Sequence, residues 1–354
     1  MGASFAPAVA AGLLAVLTGW LTPPAFGADP IWPSTTWTQA EDPAALGWSP
    51  ENLAQAKEYT QAYAPTAVMI VQDGRIIASW GDISHKVNVR SIRKSLISAL
   101  YGIGVAEGRI RLDQTIGELG IDDRPPSLSE SEKQATIRDL LMARSGIYHA
   151  AAYETPDAKA KRPQRGSHPP GSYWYYNNWD FNTLGFIYQK LVGKNVFQAF
   201  EQRIGKPIGM EDFSADDGRF VFERSSDYPA YTFRLTARDV ARFGWLFLDR
   251  GMWSGAQIVP ADWVDEATKP WSHTDIPLDY GYLWWVSPPE VAVRYPAFAG
   301  SYRALGYGGQ DLAVVPNLRL VVVQLVDVKE GEERIGGGRE FAELLRLIAA
   351  AAGS

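Results

Sequence analysis

The sequence predicts an α/β (α+β) fold, with one antiparallel sheet built from both chain ends, flanked by helices, and an all-helical insertion between its halves. Three observations carry this expectation. A strong hairpin signal lies near the start of the chain and another near its end, while the stretch between them is patterned mainly at helical spacing. A chain of 354 residues is long enough to bury one such core.

The elements follow in order. Residues 1–28 carry no charged side chain, and Ala8 to Leu21 is an apolar run that ends at Thr22-Pro23-Pro24. Ala25 and Gly27 fit the small −3 and −1 positions of a signal-peptidase site, although only the amino terminus supplies positive charge before the run. Residues 1–27 are therefore expected to be a signal peptide. That reading makes the mature protein periplasmic or secreted, with no stable membrane span after cleavage.

Ile31 to Leu46, rich in Trp, Pro and Thr, reads as an irregular arm. Ser49-Pro50-Glu51 is an N-cap followed by proline, opening a helix to about Tyr63. Thr66 to Gln72 and Arg75 to Trp80 flank Asp73-Gly74, the clearest hairpin signal in the chain. From Ser91, Ile92, Leu96, Ile97, Leu100, Ile103 and Val105 recur at helical spacing, and Gly108 closes the helix.

Between about Leu112 and Gly251 the helix candidates are Thr136–Ala143, Trp179–Leu191 and Thr236–Asp249, with a basic Pro- and Gly-rich loop over Pro156–Ser172. Past Tyr280 the pattern returns to strand. Asp311–Val315 and Leu318–Leu325 flank Pro316-Asn317, and a last helix from Arg339 to about Ala350 follows Gly336-Gly337-Gly338. The resulting map is a single domain over residues 28–350. Its sheet subdomain covers about 45–110 and 255–350, and its helical subdomain about 111–254.

Composition narrows the chemistry. The chain has no cysteine, which removes a thiol nucleophile, a disulfide framework and any Cys-ligated metal. Four scattered histidines form no metal-gripping pair, so no metal site and no cofactor are expected. With 40 acidic against 34 basic residues, the chain lacks the excess of positive charge that nucleic acid demands. Catalysis would have to use Ser, Lys, Tyr, Asp or Glu.

Ser91-Ile92-Arg93-Lys94 opens the helix after the first hairpin, and Ser91 is the only serine with a lysine three positions on. Residues three apart on a helix are neighbours, so the Lys94 amine can reach the Ser91 hydroxyl. Free N–H groups at a helix start favour negative charge developing on a bound carbonyl. The plainer alternative makes Ser91 an N-cap and Lys94 a solvated helix residue.

Two later segments tip the balance. Pro170 to Asn178 contains Tyr176-Asn177-Asn178, and Ala304 to Gln310 contains Tyr307-Gly308-Gly309. In order and spacing, S-x-x-K, Y-x-N and Y-x-G resemble the serine β-lactamase and penicillin-binding-protein superfamily. The likeness is to its class C β-lactamase-like branch of esterases, D-aminopeptidases and 6-aminohexanoate-dimer hydrolases. It covers about Gly47 to Leu347.

That resemblance implies a β-lactamase/D,D-peptidase-like fold with Ser91 as the acylated nucleophile. Lys94 or Tyr176 would be its base. Lowering a tyrosine from near 10 to about 7 needs roughly 4 kcal/mol, which one ammonium about 4 Å away barely supplies, so a proton shared between the two is the safer reading. The oxyanion hole would be the N–H groups of Ser91 and Gln310, with Gly308 and Gly309 admitting the substrate backbone. Asn178 would orient Lys94 or the substrate amide.

Tyr307 stands where lactamases and carboxypeptidases commonly place a lysine for the substrate carboxylate, and tyrosine supplies no such charge at neutral pH. Arg303 is the candidate to compensate. His149 and His168 read as surface histidines, while Trp174, Trp179, Trp284 and Trp285 are divided between an acyl pocket and the core. No G-x-S-x-G elbow occurs, and Gly102-Ile103-Gly104 lies inside a helix rather than after a strand.

The expected function is thus an exported serine hydrolase cleaving an ester or amide through an acyl-enzyme at Ser91. Its partner would be a small-molecule ester, amide or peptide; the sequence leaves oligomeric state open. The alternatives are a penicillin-recognising β-lactamase or D-alanyl-D-alanine carboxypeptidase, and a non-catalytic peptide- or peptidoglycan-binding relative.

Overall fold

The computed structural model describes residues 30–328 and 338–353. The expected signal segment, like Gly336 and Gly337, lies outside the described residues. Among the described residues no helix is long and apolar enough to cross a membrane.

The two hairpins of the sequence meet in one sheet. Its eight strands run in the spatial order Thr38–Gln39, Arg75–Gly81, Ala67–Gln72, Leu320–Leu325, Gln310–Val315, Tyr302–Gly306, Trp285–Val286 and Asp279–Tyr280. The two chain ends join where Leu320–Leu325 pairs antiparallel with Ala67–Gln72, with Val322 opposite Ile70. Only the edge strand Thr38–Gln39 is parallel to its neighbour.

The three central strands are buried along their whole length. Such continuous apolar runs require cover on both faces. Val68, Ile70, Val322 and Val315 pack against Ala56, Phe341, Leu344 and Ile348, from the helices Pro50–Gln61 and Arg339–Ala351. Met69, Val71, Leu312 and Val321 face the opposite way, into the larger core that holds the helices Ile92–Ala106 and Ala237–Leu248.

The predicted helices form with small changes at their ends, each set by a cap. Ser49 accepts from the Asn52 amide at 3.2 Å and opens Pro50–Gln61. A reciprocal Thr136–Asp139 capping box shortens Thr136–Ala143 to Ile137–Leu141, and Ala143 turns left-handed after it. Asn177 caps Asn178–Val192 by accepting from the Trp179 amide at 3.1 Å.

The middle of the chain carries strands as well as helices, which corrects the all-helical detail of the insertion. Gly218–Val221 and Ala230–Leu235 pair with each other, and the latter pairs with Val87–Asn88 in a small second sheet. That sheet leads the chain directly into Ser91. The expected loop Pro156–Ser172 contains one short helix, Pro156–Lys161.

Candidate active site

Ser91 occupies the N-cap position of Ile92–Ala106, yet its side chain makes no capping bond. Its hydroxyl instead receives a hydrogen bond from Lys94 Nζ at 2.6 Å. The same Nζ lies 3.0 Å from the Tyr176 hydroxyl. Lys94 is only 2% exposed, which removes the solvated-lysine alternative. Its nitrogen sits over the rings of Tyr176 at 4.6 Å and Phe181 at 4.7 Å, and among the described residues it has no carboxylate partner.

Local structure fixes this geometry from three sides. Val89 is tied by its amide to Phe233 O at 3.0 Å, and Arg90 takes a left-handed φ of 51° before the helix begins. A non-glycine residue in that region is strained, which turns the chain sharply and lifts Ser91 onto the helix start. Asn88 accepts from the Arg90 amide at 3.0 Å and steadies the turn.

Tyr176 is carried by the segment that enters Asn178–Val192. Tyr175 N donates to Ala143 O at 3.0 Å, and Asn177 Nδ2 donates to Ile147 O at 2.7 Å and to Asp180 Oδ1 at 2.9 Å. The Tyr176 ring stacks on Trp285 at 5.4 Å and meets Tyr280 edge-on at 6.0 Å. Aromatic neighbours on several sides leave the phenol little freedom.

Burial sets the charges. It pulls the Lys94 amine well below the ordinary lysine range, and the adjacent Arg93 cation adds to the shift. Burial also pushes the Tyr176 phenol up to about 12, opposed by a hydrogen bond with Ser91 and by Arg93. Both shifts favour the uncharged forms, an amine between two hydroxyls, and so favour Lys94 over a tyrosinate as the proton acceptor. A lone ammonium–phenolate pair is not needed.

The remaining predicted residues divide. Asn178 does not reach Lys94; its Nδ2 donates to Tyr153 O at 3.3 Å and holds the neighbouring loop. Gln310 is 1% exposed and its side-chain amide clamps Val326, donating to O at 2.6 Å and accepting from N at 3.1 Å. Gly309 O accepts from Gln324 Nε2 at 3.2 Å. Tyr307 is 54% exposed at the hairpin tip, where Gly308 and Gly309 have φ of 81° and 90°.

Gly306, at the end of its strand and paired with Gln310, is what approaches the nucleophile. A β-carbon there would lie 2.6 Å from Val89 O and 3.1 Å from Ser91 N. The strand end next to the Ser91 amide is thus Gly306, directly across the hairpin from the Gln310 that the resemblance implies.

Arg303 does not compensate for the missing lysine. It is 8% exposed, pairs with Asp311 at 2.9 Å and lies over the Phe341 ring at 4.8 Å. His149 is buried, not on the surface, with Nε2 3.6 Å from Glu132. His168 is half-buried and stacks on Tyr173 at 4.1 Å.

A cleft of about 910 Å³ opens beside Tyr176, lined by Trp174, Trp285, Tyr173, Trp271 and Ile276 among others. Ser91 and Lys94 do not line it, so it meets the cluster through Tyr176 alone. Trp174 and Trp285 therefore belong to the cleft, whereas Trp179 and Trp284 are fully buried in the core. Among the described residues no group of His, Asp and Glu is arranged to hold a metal ion.

A helix-flanked sheet made from both chain ends, with serine, lysine and tyrosine meeting at a helix start, defines the class: the fold of hydrolases that act on amide or ester bonds. The chain belongs to the β-lactamase family, whose model matches residues 51–345. It is 21% identical over 342 residues to the 6-aminohexanoate-dimer hydrolase of Paenarthrobacter ureafaciens, covering 87% of this chain and 84% of that one. An uncharacterised protein of Alkalihalophilus pseudofirmus is 24% identical over 318 residues, covering 79% and 89%. Among solved structures, a family VIII carboxylesterase superposes with a TM-score of 0.63 at 15% identity, covering 86% of this chain and 98% of that one.

Proposed function

We propose that this protein is a serine hydrolase that cleaves an ester or amide bond through an acyl-enzyme at Ser91. The observation that carries the reading is the position of the buried Lys94 Nζ, 2.6 Å from Ser91 Oγ and 3.0 Å from the Tyr176 hydroxyl. Serine needs an adjacent base because its own hydroxyl is a weak nucleophile.

In the first half-reaction Ser91 Oγ attacks the substrate carbonyl carbon and its proton passes to the neutral Lys94 amine. Tyr176 hands a proton to the leaving alcohol or amine and regains one from Lys94. The carbonyl oxygen, negative in the transition state, is stabilised by the Ser91 N–H and a second amide from the strand end at Gly306–Tyr307. Two such preorganised donors are worth several kcal/mol. Water then repeats the sequence on the acyl-enzyme, releasing the acid and restoring Ser91.

The names of two relatives, a 6-aminohexanoate-dimer hydrolase and a carboxylesterase, support a small amide or ester substrate. The aromatic cleft beside Tyr176 suits an apolar group on that substrate. Penicillin recognition is disfavoured, because Tyr307 is uncharged and Arg303 is engaged with Asp311. The uncharged, apolar leader supports export to the periplasm or the medium.

The test treats the protein and its Ser91→Ala variant with a fluorophosphonate probe and with a fluorescent penicillin, reading adduct mass. Phosphonylation of the wild type alone supports the proposal. Strong penicillin labelling would favour the lactamase or carboxypeptidase reading. Absence of any adduct would leave a non-catalytic binding protein.

A further inference from the structure

We propose that the Arg93 guanidinium, buried one residue before Lys94 without a carboxylate partner, is a fixed positive charge that keeps the Ser91–Lys94–Tyr176 cluster ready to move protons. Arg93 touches no atom that reacts in the proposed mechanism and is a positioning residue. The inference rests on Ser91 being acylated, and it adds a fourth member to the site.

The geometry is unusual for an arginine. Arg93 is 1% exposed, and its Nη2 donates a hydrogen bond to Asn182 Oδ1 at 3.2 Å. Its plane lies over the Tyr231 ring at 4.4 Å, while Nε and Nη1 are buried without partners. No carboxylate lies within 4 Å of it among the described residues. Isolated buried cations are costly, and a residue needed only for packing would be better replaced by an apolar chain of the same length.

Burial shifts the other titratable groups packed around the cluster toward their uncharged forms. Tyr176 comes from the loop before Asn178–Val192, Tyr231 from Ala230–Leu235 and Tyr280 from Asp279–Tyr280, and burial raises all three phenols. The carboxyl on the adjoining helix, Asp180, accepts from Ser145 at 2.5 Å and from Asn177 at 2.9 Å, and burial pushes it well above the carboxylate range. Asn182 on the same helix is uncharged.

A fixed cation acts in one direction on both candidate bases. It disfavours an ammonium at Lys94, and it favours a phenolate at Tyr176. Either way the reactive form of the cluster extends to lower pH. The same repulsion helps a proton collected by Lys94 to move on toward the leaving group.

The experiment measures the fluorophosphonate reaction rate against pH for wild type, Arg93→Met, Arg93→Lys and Asn182→Asp. The last keeps Arg93 in place and neutralises its charge with an adjacent carboxylate. Removing or neutralising the charge should move the acidic limb upward by about one pH unit or more, and Arg93→Lys should stay near wild type. Thermal unfolding establishes which variants fold. If Arg93→Met does not, Asn182→Asp decides. Coincident profiles for wild type and the charge-removing variant, or a shift in Arg93→Lys as large as in Arg93→Met, overturn the inference alone. A wild type that takes no probe sinks the acyl-enzyme reading and this inference with it.

Discussion

The α-carbon of Gly306 faces the amide of Ser91 so closely that a β-carbon added there would stand 3.1 Å from that nitrogen and 2.6 Å from Val89 O. The first contact is tight and the second is one that real β-carbons do not make, so the strand end and the helix start would have to separate. That movement opens the space where a substrate carbonyl would sit between two amides. Gly306→Ala should therefore lower the phosphonylation rate by about 10²-fold or more, with a stability loss of roughly 1–3 kcal/mol. A variant that melts lower but reacts at the wild-type rate would place the oxyanion site elsewhere.

Lys94 and Tyr176 should separate by leaving group. Lys94 reaches Ser91 directly at 2.6 Å, so Lys94→Met removes the base from every substrate and should cost about 10²–10⁴-fold. Tyr176 is 3.0 Å from Lys94 and, in the proposed mechanism, serves the departing atom. Tyr176→Phe should therefore cost about 10-fold on an activated aryl ester, which leaves unaided, and about 10²-fold or more on an anilide. Rates on the two substrates, compared between variants, check this; equal losses on both would make Tyr176 the general base.

How far the sequence reveals this site depends on the range of each interaction. Ser91 and Lys94 are three residues apart on one helix, and a local rule suffices to bring them together. Tyr176 is 82 positions from Lys94, and nothing local points to it; the resemblance of the Tyr176-x-Asn178 pattern does. Hairpins with an Asp-Gly or Pro-Asn turn are equally legible. The strand Tyr302–Gly306 is not, because Arg303 breaks its apolar pattern while finding Asp311 only in the folded hairpin. His149 is hidden for the same reason, since Glu132 lies far from it in sequence.

Lys94 should also destabilise the fold that needs it. Its folded pKa lies well below the 10.5 of a free lysine. Between those two values the unfolded chain holds a proton that the folded protein does not, so stability rises with pH across that window. Lys94→Met removes the linkage. The variant should melt above wild type at neutral pH, and the gap should shrink as pH approaches 10.5. Thermal unfolding of both proteins from pH 7 upward measures it. A constant gap would mean that methionine gains by packing, not by removing a titrating amine.

The Arg303–Asp311 pair gives the sharpest test of what does not bind substrate. Asp311 is 2% exposed, and burial raises its carboxyl from 3.8 to about 6 even with Arg303 at 2.9 Å. A carboxyl raised in the folded state costs stability as pH climbs through that interval, because the unfolded chain ionises first. Arg303→Met removes the cation that holds the carboxylate down and carries the loss to higher pH. The destabilisation should be small near pH 4 and grow to about 3–5 kcal/mol at neutral pH, as expected for a buried charge deprived of its partner. Denaturant unfolding at both pH values measures that growth. KM for a neutral ester should stay at the wild-type value, because the guanidinium lies over Phe341 and away from the cleft. A tenfold rise in KM for a carboxylate-bearing substrate, with stability unchanged, would instead make Arg303 the anion-binding residue that Tyr307 cannot be.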